Sequence, residues 1–206
     1  MKRIMMVVQN YFPQDPRVRR YVHILHSIGM PVDIVCIGDE GDKKIEYYLN
    51  GKIIRKILPK KRSNRFRYLY EYFSFWVFAF TTINKLSKGE KYSTIHFHTL
   101  PDFLVLAGCY ARTKGIKLIL DLHEILPEFY ALKFNIHEKS LIFKILKHIE
   151  KISVNYADFV ITVNDAIKRL VESRTSPKSE IKVIMNTVDT GIVKKRVAKA
   201  HNDFNI

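Results

Sequence analysis

The sequence predicts an α/β fold with a Rossmann-like parallel sheet flanked by helices. Short apolar runs repeatedly end in polar side chains, and segments whose apolar residues recur at helical spacing lie between them. Such runs are typical of interior strands that are covered on both faces. Because strands and helices alternate, the sheet is expected to be parallel, with its polar residues at the carboxyl edge, where open α/β sheets bind ligands.

The first strand is predicted from Arg3 to Val8, and it is followed by Gln9 and Asn10. Asp15 then suits the N-cap of a helix, and Pro16 suits its first position. The apolar residues of this helix are Val18, Val22, Leu25 and Ile28.

The start of this helix is a candidate phosphate site, because free amides and the positive end of the helix dipole attract anions. Arg17 and Arg20 could add charge-assisted hydrogen bonds to such a phosphate. The alternative is that both arginines belong to the solvated face of an amphipathic helix. The turn lacks the glycines of the dinucleotide-binding fingerprint, which disfavours a nicotinamide cofactor.

The run Leu118–Leu120 is predicted to be a buried strand, and it ends abruptly in Asp121, His123 and Glu124. Two interpretations of His123 are open: a histidine whose hydrogen bonds are satisfied within the fold, or one that contacts a ligand or transfers a proton. Histidine has an ordinary pKa of about 6.5, so both charge states are accessible near neutral pH. Asp121 and Glu124 could orient this histidine or cap the following turn.

His96 and His98 lie two residues apart, within and just after a strand predicted over Thr94–Phe97, so their side chains share one face. Metal binding is disfavoured, because the sequence has no His-Glu-x-x-His helix and no cysteine pair at ligand spacing, and because His96 lies inside the strand. No metal ligands are therefore predicted.

A further strand is predicted over Phe159–Val163, and Asn164 with Asp165 then suits the N-cap of a helix over residues 165 to 173. The last predicted strand, Ile181–Met185, ends at Asn186. A helix precedes these strands, with apolar residues at Leu141, Ile145, Ile149 and Ile152.

Charge and cysteine content narrow the partners and the compartment. Lysine and arginine number 35 against 20 acidic residues, and this net charge of +15 indicates an anionic partner: a phosphate-bearing ligand, an acidic lipid or nucleic acid. Nucleic acid is disfavoured because no RNA- or DNA-binding motif accompanies the charge. Cys36 and Cys109 lie in apolar contexts and are predicted to be buried; with no secretory signal, this indicates a cytoplasmic location.

The longest apolar stretch, Phe73–Ile83, is too short and too interrupted to span a bilayer. A basic segment, Lys60–Arg67, precedes it. A basic segment that leads into an aromatic helix suits the surface of an anionic membrane, which would place the protein peripherally at the inner face of the cell membrane. The alternative is a helix whose apolar stripe packs on the sheet beside a solvated basic loop.

Taken in order, these segments resemble the amino-terminal domain of the family 4 glycosyltransferases, two-domain enzymes of the GT-B fold that depend on a nucleotide-sugar. The likeness extends over nearly the whole chain. The segments that carry it are Tyr11–Pro13, Asp15–Arg20, His96–Asp102, Asp121–Glu124, Glu150, Ala157–Val163 and Val183–Asn186.

The resemblance implies retaining glycosyl transfer from a nucleotide-sugar co-substrate, without a metal or another cofactor. It implies that His123 contacts the transferred sugar or the acceptor near the reaction centre, and that the turn from Asn10 to Arg20 faces the donor phosphates. Many relatives carry a Gly-Gly pair in that turn, and its absence here shifts the expected phosphate contact to Arg17 and Arg20. The other expected substrate-binding residues are Asn10, His98, Asp102, Asp121, Glu124, Asn164 and Asn186.

On this resemblance, residues 1–190 form an acceptor-side domain and residues 191–206 a linker toward a carboxyl-terminal donor-binding domain, carried on the same or another chain. The acceptor is expected to be a glycan or a lipid-linked glycan of cell-surface polysaccharide synthesis, and the chain alone is expected to be inactive. The alternative is a non-catalytic, membrane-associated binding module that partners a separately encoded donor domain.

Overall fold

The computed structural model describes residues 2–59, 65–89 and 91–187, without the side chains of residues 65 and 66. The strands are β1 (Arg3–Tyr11), β2 (Val32–Gly38), β3 (Ile45–Tyr48), β4 (Gly51–Ile57), β5 (Tyr92–His98), β6 (Lys117–Leu122), β7 (Phe159–Thr162) and β8 (Ile181–Val183). The helices are α1 (Pro16–Ser27), α2 (Arg65–Gly89), α3 (Cys109–Thr113), α4 (Leu126–Phe134), α5 (Leu141–Tyr156) and α6 (Asp165–Thr175), with a 3-10 helix at Asp102–Gly108.

The strands that the structure describes form one sheet in the order β3-β4-β2-β1-β5-β6-β7-β8. All neighbouring pairs are parallel except the edge pair β3 and β4, which is antiparallel. The predicted α/β fold with a parallel sheet is therefore confirmed. The chain returns to the middle of the sheet after β4, so β1 lies between β2 and β5, where the strand order reverses.

Helices cover both faces of the sheet. On one face α1 packs Val18 and Val22 against Met6 of β1 and Ile34 of β2. On the other face α2, α3, α5 and α6 contribute to a larger core, in which Phe75 of α2 is fully buried. Because most apolar strand residues are covered, the strands could be recognised from continuous apolar runs rather than from alternation.

Strands β2, β3 and β4 were not predicted from the sequence, and β2 carries a buried carboxylate, Asp33, near its start. The structure shows how this buried carboxylate is compensated: it pairs with the Arg3 guanidinium at 2.7 Å and accepts a hydrogen bond from the Tyr92 hydroxyl at 2.5 Å. It also accepts from the backbone amide of Lys52 at 3.0 Å. These partners come from β1, β4 and β5, so no local pattern reveals them.

Helix α2 combines the two interpretations of the aromatic segment. Phe75, Ala79 and Ile83 are fully buried against the sheet, as the packing interpretation predicted. Tyr70 and Phe73 are more than half exposed, which leaves an apolar surface on the opposite side of the helix. In the preceding basic segment, residues 60–64 and the side chains of residues 65 and 66 lie outside the part of the chain that the structure describes.

Several boundaries and one burial prediction differ from the sequence analysis. Helix α6 continues to Thr175 rather than ending at residue 173, and β8 ends at Val183 rather than at Met185. Cys36 is buried as predicted, but Cys109 is exposed, so that prediction was wrong. Its apolar neighbours turn toward the core while Cys109 itself begins α3 on the solvent side. The predicted linker, residues 191–206, lies outside the described residues.

Candidate functional site

Polar side chains from three neighbouring strands meet at the carboxyl edge of the sheet. Gln9 and Asn10 lie near the end of β1, His98 ends β5, and Asp121 lies near the end of β6. The register pairs Val8 with His98 and His98 with Asp121, so the three strands deliver these positions side by side. This is the edge at which the sequence predicted a binding site.

Asp121 is the centre of a group of side chains that we call the histidine cluster, which consists of Asp121, His96, His98 and His123. Its Oδ2 atom lies 3.2 Å from Nε2 of His96, 3.3 Å from Nδ1 of His98 and 3.1 Å from Nε2 of His123. The two histidines of β5 share a face, as predicted, and their ring centroids are 4.2 Å apart. Nδ1 of His98 also lies 3.5 Å from Nε2 of His123.

All four residues of the histidine cluster are buried. Tyr21 of α1 covers them, with its ring centroid 5.1 Å from that of His96 and 5.8 Å from that of His98. The backbone amide of His123 donates a hydrogen bond to Oγ1 of Thr99 at 3.1 Å. Two strands, a helix and a loop therefore hold the histidine cluster in one arrangement.

Burial sets the charge states of the histidine cluster. It lowers the pKa of His98 to about 4, so this imidazole is neutral at pH 7. Burial alone would raise the pKa of Asp121, but the contacts with the three imidazoles hold it well below its usual range. Burial and the Asp121 charge raise the pKa of Tyr21 to about 12. Asp121 is therefore a buried anion among imidazoles and a phenol.

A cavity of about 310 Å³ lies beside the histidine cluster, between the ends of β1 and β5 and the helices α2 and α4. Thr99 and Glu124, the chain neighbours of His98 and His123, line it. Its size and its mixed lining suit a small organic ligand with polar and apolar parts. The polar lining also includes Gln9, Asn10, Arg17, Glu71 and Lys133, and the aromatic and apolar lining includes Tyr68, Tyr72, Leu100 and Phe129.

The start of α1 has its N-cap as predicted. Oδ1 of Asp15 accepts hydrogen bonds from the backbone amides of Arg17 at 3.0 Å and Val18 at 3.4 Å. The carboxylate also pairs with the Arg17 guanidinium at 3.0 Å and accepts from the Asn10 amide at 2.7 Å. Burial raises the pKa of Asp15, but the bonds from Arg17 and Asn10 lower it overall to about 2. A carboxylate thus occupies the place where the sequence allowed a phosphate.

Six of the nine predicted substrate-binding residues do not line the cavity: Arg20, His98, Asp102, Asp121, Asn164 and Asn186. The predicted catalytic residue, His123, lies behind the lining with His98 and Asp121 in the histidine cluster. Arg20 donates to the carbonyl of Thr187 at 2.6 Å. Asn164 caps α6 by accepting from a backbone amide of its first turn at 2.8 Å, which is the structural role that the sequence also allowed. Asn186 is exposed after β8, and Asp102 is fully buried at the start of the 3-10 helix, so its side chain cannot touch a ligand in this arrangement.

The sequence analysis missed the helical wall of the cavity. Tyr68, Glu71 and Tyr72 of α2 and Lys133 of α4 all line it. Glu71 is buried and accepts a hydrogen bond from Nε of Arg67 at 2.9 Å. The Lys133 ammonium lies 4.3 Å from the ring centroid of Tyr68. An acidic residue within an aromatic helix was the available signal, because buried carboxylates seldom occur without a partner or a function.

A second buried charged group links α4, α5 and α6. Arg174 donates to both carboxylate oxygens of Glu150, at 2.5 and 2.6 Å, and to both of Glu128, at 2.6 and 2.9 Å. Burial, together with the nearby Glu150 charge, raises the pKa of Asp102 well above its usual range. None of these residues lines the cavity, so their arrangement holds the helices together rather than contacting a ligand there.

No helix within residues 2–59, 65–89 and 91–187 is long and apolar enough to cross a membrane.

Structures similar to this one include glycosyltransferases. The sucrose-phosphate synthase of Thermosynechococcus elongatus superposes with a TM-score of 0.64 at 15% sequence identity, over 92% of this chain and 49% of its own. A second structure of that enzyme gives a TM-score of 0.59 at 17% identity, over 91% of each chain. UGT89C1 of Arabidopsis thaliana, solved with UDP-L-rhamnose, gives 0.53 at 10% identity, over 89% of this chain and 52% of its own. At these identities the likeness establishes the fold alone.

The chain therefore spans about half the length of the first and third of these enzymes. No curated protein matches it in sequence. The sequence does match the family model of Glycosyltransferase Family 4, over residues 17–191. Because that match covers most of the chain and the fold agrees with the GT-B enzymes, the chain belongs to glycosyltransferase family 4.

Proposed function

We propose that this chain forms the acceptor side of the active site of a retaining glycosyltransferase that takes its sugar from a nucleotide-sugar donor. The observation that carries the proposal is the cavity beside the histidine cluster, at the carboxyl edge of a family 4 sheet. In the family resemblance, a carboxyl-terminal donor-binding domain faces this edge across a cleft. That domain is the proposed partner, on the same or another chain.

His123 takes the position nearest to the reaction centre in this proposal. Thr99 holds its backbone amide at 3.1 Å, and its Nε2 atom lies 3.1 Å from the Asp121 carboxylate. A histidine that two partners hold in this way costs little to orient when substrate binds. Its ring would hydrogen-bond the transferred sugar or the acceptor as charge develops in the transition state.

Arg17 and Arg20 are the proposed contacts of the donor phosphates. Asp15 already accepts from the amides at the start of α1, so the guanidinium groups rather than those amides would meet the phosphates. Guanidinium groups bind phosphate oxygens through two parallel hydrogen bonds. Arg17 lines the cavity, and Arg20 would exchange its bond to the Thr187 carbonyl for one to the donor. The transfer step is proposed to need no metal and no other cofactor.

The acceptor is proposed to be a glycan or a lipid-linked glycan. Tyr68, Tyr72 and Phe129 offer aromatic surface to the apolar faces of a sugar ring or to the first part of a lipid. Glu71 and Glu124 lie in the same lining and can accept hydrogen bonds from sugar hydroxyls. This combination supports a role in the synthesis of cell-surface polysaccharide or of lipid-linked glycans.

Helix α2 supports a membrane-proximal version of this function. One side of the helix lines the cavity through Tyr68 and Tyr72, whereas Leu69, Tyr70 and Phe73 are 56%, 57% and 64% exposed. Aromatic and apolar side chains of this kind partition into the interface of a bilayer. We propose that α2 meets the inner face of the cell membrane, where it would bring a lipid-linked acceptor to the cavity.

The test is to join the chain to a donor-binding domain of family 4 and to assay a panel of nucleotide-sugars with glycan and lipid-linked acceptors. The expected result is donor-dependent transfer with the anomeric configuration of the donor retained, read by NMR of the product. The chain alone and the donor domain alone are the controls, and both should be inactive because each holds half of the cleft.

Three results would contradict the proposal in different ways. An inverted product would exclude the retaining reaction. Efficient transfer by the chain alone would exclude the assignment of a half-site. Acceptor binding without transfer from any donor in the joined protein would instead favour the non-catalytic binding module.

A further inference from the structure

We propose that the histidine cluster binds one transition-metal ion of the zinc class. His96, His98 and Asp121 are the three protein ligands, which leaves a fourth position for solvent as in other three-ligand zinc sites. This inference goes beyond the proposed transfer reaction and does not depend on it, because the ion would be buried within the sheet edge rather than bound to the donor.

The distances from the carboxylate to the two histidines of β5 match those between the ligands of a tetrahedral site. Oδ2 of Asp121 lies 3.2 Å from Nε2 of His96 and 3.3 Å from Nδ1 of His98. When an ion binds nitrogen and oxygen at about 2.0–2.1 Å in a tetrahedron, its ligand atoms are about 3.3 Å apart. One ligand atom each from His96, His98 and Asp121 lies within 4.8 Å of the others.

Several polar atoms at the centre of the histidine cluster have no hydrogen-bond partner within the part of the chain that the structure describes. They are both carboxylate oxygens of Asp121 and Nε2 of His96. Leaving buried polar groups without a partner costs free energy. A cation between these atoms would interact favourably with several of them at once.

The charge of the site points the same way. Asp121 is fully buried, and among the described residues no lysine or arginine lies within 4.0 Å of its carboxylate. Buried anions in proteins are paired with a cation or coordinate a metal. Imidazole with carboxylate suits zinc and its neighbours in the transition series, whereas magnesium and calcium prefer oxygen ligands alone.

The surroundings resemble a supported metal site. Tyr21 packs on His96 and His98 at 5.1 and 5.8 Å, and strands β5 and β6 fix the ligand backbones. Thr99, the chain neighbour of His98, lines the cavity beside the histidine cluster. The sequence analysis disfavoured a metal because no known ligand motif is present and because His96 lies inside a strand. The structure shows that this strand position turns His96 toward Asp121.

The test uses the 206-residue chain after treatment with a chelator, titrated with Co²⁺ at neutral pH. The expected result is a visible absorption spectrum of tetrahedral Co²⁺ at one ion per chain, displaced by Zn²⁺, and a rise in melting temperature when Zn²⁺ is added. His98→Ala should weaken binding by at least about 100-fold, since even outer partners of ligands contribute 10–100-fold. His148→Ala, in an exposed histidine of α5, is the matched control and should bind normally.

Absence of stoichiometric Co²⁺ binding by the wild-type chain would overturn the proposal, whether or not the His98 variant folds. Equal loss in the His98 and His148 variants would also overturn it, because binding would then be unspecific. No readout involves a donor or an acceptor, so failure here would leave the proposed transfer reaction untouched.

Discussion

The carboxylate of Asp121 lies 3.1 Å from Nε2 of His123. A fully buried anion therefore contacts the residue that we place at the reaction centre. The pair joins the end of β6 to the loop that follows it, and Thr99 of the neighbouring loop completes the support. The cavity lining includes neither residue, and we expect Asp121 to position the ring of His123 rather than to touch a ligand itself.

Replacing His123 should affect transfer more than folding. In the chain joined to a donor domain, His123→Ala is expected to lower kcat by about 10²-fold or more, because a positioned polar group near the reacting atoms is lost. His123→Gln keeps a polar group beside Asp121 and should retain more stability but little more activity. The measurements are kcat and melting temperature, with His137→Ala on the exposed loop as the control. Near-normal turnover with a large drop in melting temperature would identify His123 as a structural residue.

Asp15 is expected to make stability depend on pH in acid. Its pKa is lowered from 3.8 to about 2, so its contribution is present above about pH 4 and is lost as the pH falls toward 2. Asp15→Ala should cost about 1–2 kcal/mol at neutral pH through loss of the N-cap. Asp15→Asn keeps the cap without the charge, so its stability should change less between pH 4 and pH 2. Urea unfolding at a series of pH values measures both, and parallel curves for wild type and Asp15→Asn would refute this account.

Removing Arg174 should destabilise the packing of α4, α5 and α6. Arg174→Ala leaves the fully buried Glu150 without its partner, which typically costs about 3–5 kcal/mol. Arg169→Ala, at an exposed position of the same helix, is the control and should change stability by less than about 0.5 kcal/mol.

Adding Glu150→Gln to Arg174→Ala should recover part of the loss, because the uncompensated charge disappears. Denaturant unfolding of the single and double variants gives the coupling. Equal losses for Arg174→Ala and Arg169→Ala would show that the buried ion pairs contribute nothing.

Membrane contact by α2 should be weak and sensitive to salt. The chain is expected to cosediment with acidic vesicles and to cosediment poorly with neutral ones. The reason is that each basic residue near an anionic surface contributes on the order of 1 kcal/mol to binding. Phe73→Ser should weaken attachment by about tenfold, because partial burial of this exposed ring contributes on the order of 1–2 kcal/mol. Tyr47→Ser, at an 86% exposed ring on the edge strand β3, should have no effect. Binding that is equal for the two lipid mixtures, or equal for the two variants, would remove α2 from the proposal.

Local features of the sequence were sufficient for much of the fold. The strands β1, β5, β6, β7 and β8 were predicted because short, largely apolar runs end there in polar residues. The N-caps Asp15 and Asn164 were predicted because capping depends on a few adjacent residues. Strands β2, β3 and β4 were missed, and the residues that compensate the buried Asp33 of β2 lie on other strands, where no local pattern points to them.

For the site, the sequence by itself determined that His98, Asp121 and His123 lie at one edge of the sheet, because the carboxyl ends of neighbouring parallel strands meet there. Only the tertiary structure decided that these three side chains and His96 form one cluster. Their contacts depend on strand register and on the covering residue Tyr21. The helical wall of the cavity and the bonds of Arg174 also depend on how helices pack, and helix packing joins residues that no spacing along the chain relates.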